Sequence, residues 1–103
     1  MIMKPKSKQT DLKKLKQKRT QIDKLDHKIL QLIEKRFSIA ESIALIKAEN
    51  QLKSHDPQRE QEILNHLFTK KPSDKAQKYF IPIFKTILKH SRSRIAEILK
   101  TLQ

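Results

Sequence analysis

One apolar stripe constrains this chain more than any other feature. Ile22, Leu25, Ile29, Leu32, Arg36, Ile39, Ile43 and Ile46 follow one another at alternating spacings of three and four. That is the a/d periodicity of a helix seam. No Gly or Pro interrupts the chain between Pro5 and Pro57, so no backbone breaker stops such a helix. A helix of about 40 residues is about 60 Å long, whereas a compact monomer of this size has a radius of gyration of about 13 Å. One chain cannot cover both ends of the seam. The pattern therefore predicts an intertwined two-fold dimer, in which the long helices pack together and each chain completes the other's core.

The rest of the chain reads as two shorter helices. Residues 1–10 are expected to be a basic, flexible arm, with the long helix beginning at about Asp11. Asp56 is placed to cap a second helix with Pro57 at its first position, running to about Phe68 with Ile63, Leu64 and Leu67 facing inward. Lys70-Lys71-Pro72-Ser73 breaks the pattern, and Ser73 caps a third helix over roughly 74–101. Ile81, Phe84, Leu88, Ser91, Ile95, Ile98 and Leu102 again alternate at three and four. Pro82 either kinks this helix or marks its true start, since its ring displaces the carbonyl four residues back. The expected architecture is all-α, with one domain over 11–103, three helices and a very long first helix.

Composition supports that reading and excludes several functions. The 103 residues include no Gly, which a sheet protein would normally need in its turns. With no Cys there is neither a disulfide framework nor a thiolate metal site. His27, His55, His66 and His90 contain no i, i+4 pair, so a His-based metal site is not expected either. No apolar run reaches the ~20 residues that span a bilayer. The basic start is not followed by an apolar stretch, so it is not read as a secretory signal, and the expected location is the cytoplasm.

The formal charge of +13 would suit nucleic acid. Much of it, however, lies in Lys4, Lys6, Lys8, Lys13, Lys14, Lys16, Lys18 and Arg19. No aromatic is interleaved there as a stacking platform would require. A basic pool that attracts anionic metabolites, or confers solubility, fits better.

Several polar residues sit where apolar ones belong. Arg36 occupies a seam position, and a guanidinium there must be paired, snorkel at the edge, or await an anionic ligand. Lys47 lies eleven residues later, about three turns on, and projects from nearly the same side. Arg19 lies seventeen residues before Arg36, about 25 Å along one helix. In an antiparallel dimer, though, Arg19 of one chain can approach Arg36 and Lys47 of the other. Arg59 and Glu60 open the second helix, and Ser91 sits on the seam of the third.

At this point the sequence resembles the all-helical chorismate mutases. Arg19, Ile22-Asp23, Leu25-Asp26, Ile29 and Glu34-Lys35-Arg36 look like that family's first helix. Lys47, the string Asp56-Pro57-Gln58-Arg59-Glu60, and Phe84 through Ser91-Arg92 follow in register, so the resemblance spans about 15–99. It implies the intertwined homodimer of chorismate mutase type II architecture, with active sites shared between chains. It also implies conversion of chorismate to prephenate in aromatic amino-acid biosynthesis, without metal or cofactor.

Carried over by position, the resemblance gives Arg36 one substrate carboxylate and Arg19 of the other subunit a second. Lys47 reaches the ether oxygen, and Glu60 accepts from the ring hydroxyl with Asp56 beside it. Arg59 supports the hydroxyl side, and Ser91 contacts the ring carboxylate. Ile95 departs from the pattern: the family carries Gln, in some members Glu, at this substrate-contacting position. Isoleucine cannot donate a hydrogen bond, so a weakened reaction is implied. Arg94 is adjacent but points about 100° away. Alternatives within the same fold are an isochorismate–pyruvate lyase, an amino-chorismate mutase, or a non-catalytic dimer.

Overall fold

The computed structural model describes residues 8–102, and no strand occurs among them. Helix α1 is Lys8–Glu49, α2 is Pro57–Leu67, and α3 is Ile81–Leu102, immediately preceded by a π-helical segment at Ala76–Phe80. The chain divides into two units, one ending at Lys35 and the other beginning at Arg36. In the first, α1 starts at Lys8 and not at about Asp11, which puts Asp11 in its first turn, where a carboxylate complements the helix dipole. The first seven residues of the expected arm lie outside the described residues.

In the second unit, α1 ends without the glycine that usually terminates a helix. Gln51 takes the left-handed conformation, at φ 55°. The Leu52 N–H donates to the Lys47 carbonyl at 2.8 Å and the Gln51 N–H to Ala48 at 3.3 Å. Those two bonds define a Schellman motif. A side chain in this conformation costs about 1–2 kcal/mol, and glycine would return about 0.4–1 kcal/mol of that by loosening the unfolded chain. Gln51→Gly should therefore stabilise the protein by about 0.5–1 kcal/mol, raising Tm by a few degrees. Thermal unfolding checks this; a lowered Tm would mean that the Gln51 side chain contributes more than its strain costs.

The α2 start follows the sequence reading. Pro57 opens the helix, and the Asp56 side chain accepts from the Arg59 N–H at 3.1 Å. At the third helix Ser73 Oγ accepts from the Ala76 N–H at 3.1 Å. Pro82 is the second residue of α3, directly after the π segment, and it does not interrupt the helical run. The Ile81 N–H donates to the Ala76 carbonyl, five residues back, so the chain widens by one residue just before the ring. A π turn relieves the clash that an α-helical carbonyl would make with proline.

The core of a single chain is small. Among the described residues the buried apolar ones are Ala40, Ala44, Ala76, Leu88 and Leu99, and Ser91 is buried as well. The α3 seam holds for Leu88 and Ser91, which are buried, and for Phe84, Ile95 and Ile98, which are half-buried; Leu102 is exposed. On α2, Ile63 and Leu64 face inward, but Leu67 does not: it is 51 % exposed at the last residue of the helix. On α1 beyond Lys35 the buried face is Ala40 and Ala44, flanked by half-buried Arg36 and Lys47. The seam residues Ile39, Ile43 and Ile46 stay exposed. Arg36 alone belongs to both stripes.

Candidate active site

A cavity of about 470 Å³ opens within the second unit. Helix α1 contributes Arg36, Ile39, Ala40, Ile43 and Lys47, and the loop after it contributes Ser54 and Asp56. Arg59, Glu60 and Ile63 enter from α2, and Leu88, Ser91, Arg92 and Ile95 from α3. The arrangement follows from helix geometry. Spacings of three and four put Arg36, Ala40, Ala44 and Lys47 on one side of α1, and Leu88, Ser91 and Ile95 on one side of α3.

Charge in the cavity is unbalanced. Four cations (Arg36, Lys47, Arg59, Arg92) face two carboxylates (Asp56, Glu60), a net of two positive charges. Arg36 is the most telling of them. Its Nη1 donates to the Ser91 hydroxyl at 2.6 Å, and its guanidinium lies 5.9 Å from the centre of the Phe84 ring, within cation–π range. Neither partner neutralises it. Among the described residues no carboxylate lies within ion-pair distance of Arg36. Burial, and secondarily the neighbouring Arg59, push Arg36 below the usual guanidinium range. A half-buried cation that another cation destabilises gains from an arriving anion.

Lys47 is pinned as well. Its Nζ donates to the Ser54 carbonyl at 3.2 Å, which leaves further ammonium donors. Asp56 is already committed in part to capping α2. Glu60 accepts twice from Arg92 Nη1, at 2.6 and 2.8 Å, and lies 3.4 Å from His55 Nε2.

Seven of the residues singled out from sequence thus share one cavity: Arg36, Lys47, Asp56, Arg59, Glu60, Ser91 and Ile95. Arg19 is not among its lining; it belongs to the first unit. Arg94 does not substitute for the donor missing at Ile95. It bonds Glu41 Oε2 at 2.7 and 3.0 Å and Glu97 at 3.2 Å, outside the cavity. Those carboxylates raise its pKa above the usual guanidinium value. Sequence reasoning gave no role to Arg92, although it adjoins Ser91. Being one residue off the seam placed it on no expected face.

The described residues are thus all helical around a cation-rich, partly apolar cavity. The family of the chain follows from comparison with known proteins. Residues 18–96 match the model of the chorismate mutase type II family, and the chain belongs to that family. It is similar to the chorismate mutase of Methanocaldococcus jannaschii, at 31 % identity over 93 residues, covering 89 % of this chain and 94 % of that protein. No solved structure is matched.

Proposed function

We propose that this chain is an isomerase that converts chorismate to prephenate. The observation that carries the proposal is Arg36, a half-buried guanidinium facing a cavity and bonded to a neutral hydroxyl, in a chain of the chorismate mutase type II family. The reaction is pericyclic: a C–O ether bond breaks as a C–C bond forms, with no proton transfer and no covalent enzyme intermediate. Catalysis then rests on holding a flexible dicarboxylate in its compact shape and on stabilising charge that develops at the ether oxygen. Family membership favours this reading over the isochorismate lyase, the amino-chorismate mutase and the non-catalytic dimer.

In this mechanism Arg36 holds one carboxylate, through guanidinium N–H groups not used by Ser91. Lys47 donates to the ether oxygen. Glu60 accepts from the ring hydroxyl beside Asp56, Arg59 adds to the field on that side, and Ser91 contacts the ring carboxylate. Ile95 lies against the substrate without donating.

Arg19 of a second copy supplies the remaining carboxylate clamp, so the working form is a homodimer, which we place in the cytoplasm. Its support is the exposure of the α1 seam in a single chain: Ile22, Leu25, Ile29 and Leu32 in the first unit, and Ile39, Ile43 and Ile46 in the second. So much apolar surface on one helix calls for a cover. No helix among the described residues is long and apolar enough to cross a membrane.

Purified protein offered chorismate and isochorismate separately should form prephenate from the first. In the same preparation it should sediment at twice the 12.2 kDa chain mass. A folded dimer that turns over neither substrate would refute the proposed activity, and a monomer that turns over chorismate would refute the shared site.

A further inference from the structure

We infer that Arg92, to which neither the family match nor the mechanism above gives a part, is a positioning residue that holds Glu60 in the orientation its substrate contact requires. The inference rests on the proposed mutase reading. Glu60 stands on α2, one turn from its start, and Arg92 stands on α3. Their ion pair is the short one of the cavity wall: Arg92 Nη1 reaches Oε1 at 2.6 Å and Oε2 at 2.8 Å. Both side chains are partly covered, at 22 % exposure for Glu60 and 37 % for Arg92, so solvent screens the pair less than an ordinary surface bridge.

The geometry separates this role from that of an anion clamp. Arg36 has no carboxylate partner among the described residues and is left to a ligand, whereas Arg92 is occupied by Glu60. One nitrogen serves both carboxylate oxygens, which points the carboxylate along a single axis. His55 Nε2 approaches Oε2 at 3.4 Å, but the His55 side chain is 56 % exposed and is a weaker constraint. Without Arg92, Glu60 is free to turn about its side-chain torsions. An acceptor misplaced by about 1 Å costs on the order of a hundredfold in rate.

Because a single nitrogen makes both contacts, an ammonium can replace the guanidinium, so lysine should rescue where a neutral residue fails. The test is kcat and KM for chorismate with wild type, Arg92→Gln, Arg92→Lys, Glu60→Gln, and the Arg92→Gln/Glu60→Gln double variant, each confirmed as helical by circular dichroism. Arg92→Gln should lower kcat/KM by about ten- to a hundredfold, mostly in kcat, and Arg92→Lys should stay within about threefold of wild type. In the Glu60→Gln background the further effect of Arg92→Gln should fall below about threefold, since the ion pair is already gone.

An equal loss in both backgrounds would overturn the inference, as would an Arg92→Lys variant no better than Arg92→Gln. Wild type inactive on chorismate would remove the mutase reading and this inference together. Wild type active with Arg92→Gln unimpaired would remove this inference alone.

Discussion

Lys47→Met should lower kcat for chorismate by about 10²–10³, the usual cost of removing one donor that faces developing charge. Methionine keeps the length and the packing of the stem, so the loss isolates the ammonium. The size follows from two observations. Lys47 is held in place by the Ser54 carbonyl at 3.2 Å, so its remaining donors need little reorganisation when charge appears. The cavity position where the family resemblance leads one to expect a second donor holds Ile95, so that position shares none of the work. KM should change less than kcat, because charge at the ether oxygen grows only as the bond breaks. Steady-state kinetics on the two proteins decides it: a loss below about tenfold would take the ether oxygen away from Lys47.

The second large effect is a gain. Ile95→Gln should raise kcat by about ten- to a hundredfold, less than a fully preorganised donor is worth, because the new amide has no partner shaped to hold it. Ile95 is half-buried in the cavity wall, near enough to the site for an amide there to face the substrate. Burying an amide in that wall costs about 1–3 kcal/mol if it stays unpaired, so the variant should unfold at a lower temperature while turning over faster. Arg94 does not compensate in the wild type, since Glu41 and Glu97 hold it outside the cavity. Prephenate formation that is unchanged or slower in a folded Ile95→Gln protein would show that Ile95 is not the reason for any weakness of the site. A combined Lys47→Met/Ile95→Gln protein should recover part of the lost rate, as expected if both positions serve one oxygen.

Much of this molecule is legible one helix turn at a time. The absence of glycine, the unbroken stretch before Pro57, the Asp56 and Ser73 caps and the three-four spacings all act between residues a few positions apart. Helix number and helix order therefore follow from sequence alone. So does the sharing of one side of α1 by Arg36 and Lys47, because the helix repeat dictates it.

What spacing could not decide is which stripe of α1 a single chain buries. Apolar periodicity marks Ile39, Ile43 and Ile46, yet the chain's own packing covers Ala40 and Ala44 and leaves the isoleucines exposed. Both stripes pass through Arg36, and local pattern cannot say which one meets the chain's own helices. The turn at Pro82 was ambiguous for a similar reason: proline forbids an ordinary α-helical bond, but the choice between a break and a π turn depends on what the helix packs against.

The stripe that opens on Arg36 is thus a matter of sequence, while the partners its side chains meet depend on tertiary structure. Arg36 meets Ser91, Arg94 meets Glu41, and Arg92 meets Glu60 across 55, 53 and 32 residues respectively. Such pairs depend on the distance and rotation between helices, to which no i, i+3 or i, i+4 rule applies. Among the described residues those three contacts leave Arg36 without a carboxylate, take Arg94 out of the cavity and pair Glu60 with Arg92. Helix periodicity put Arg36 and Lys47 on one face of α1; only the packing of one helix against another determined which side chains Arg36, Arg92 and Arg94 meet.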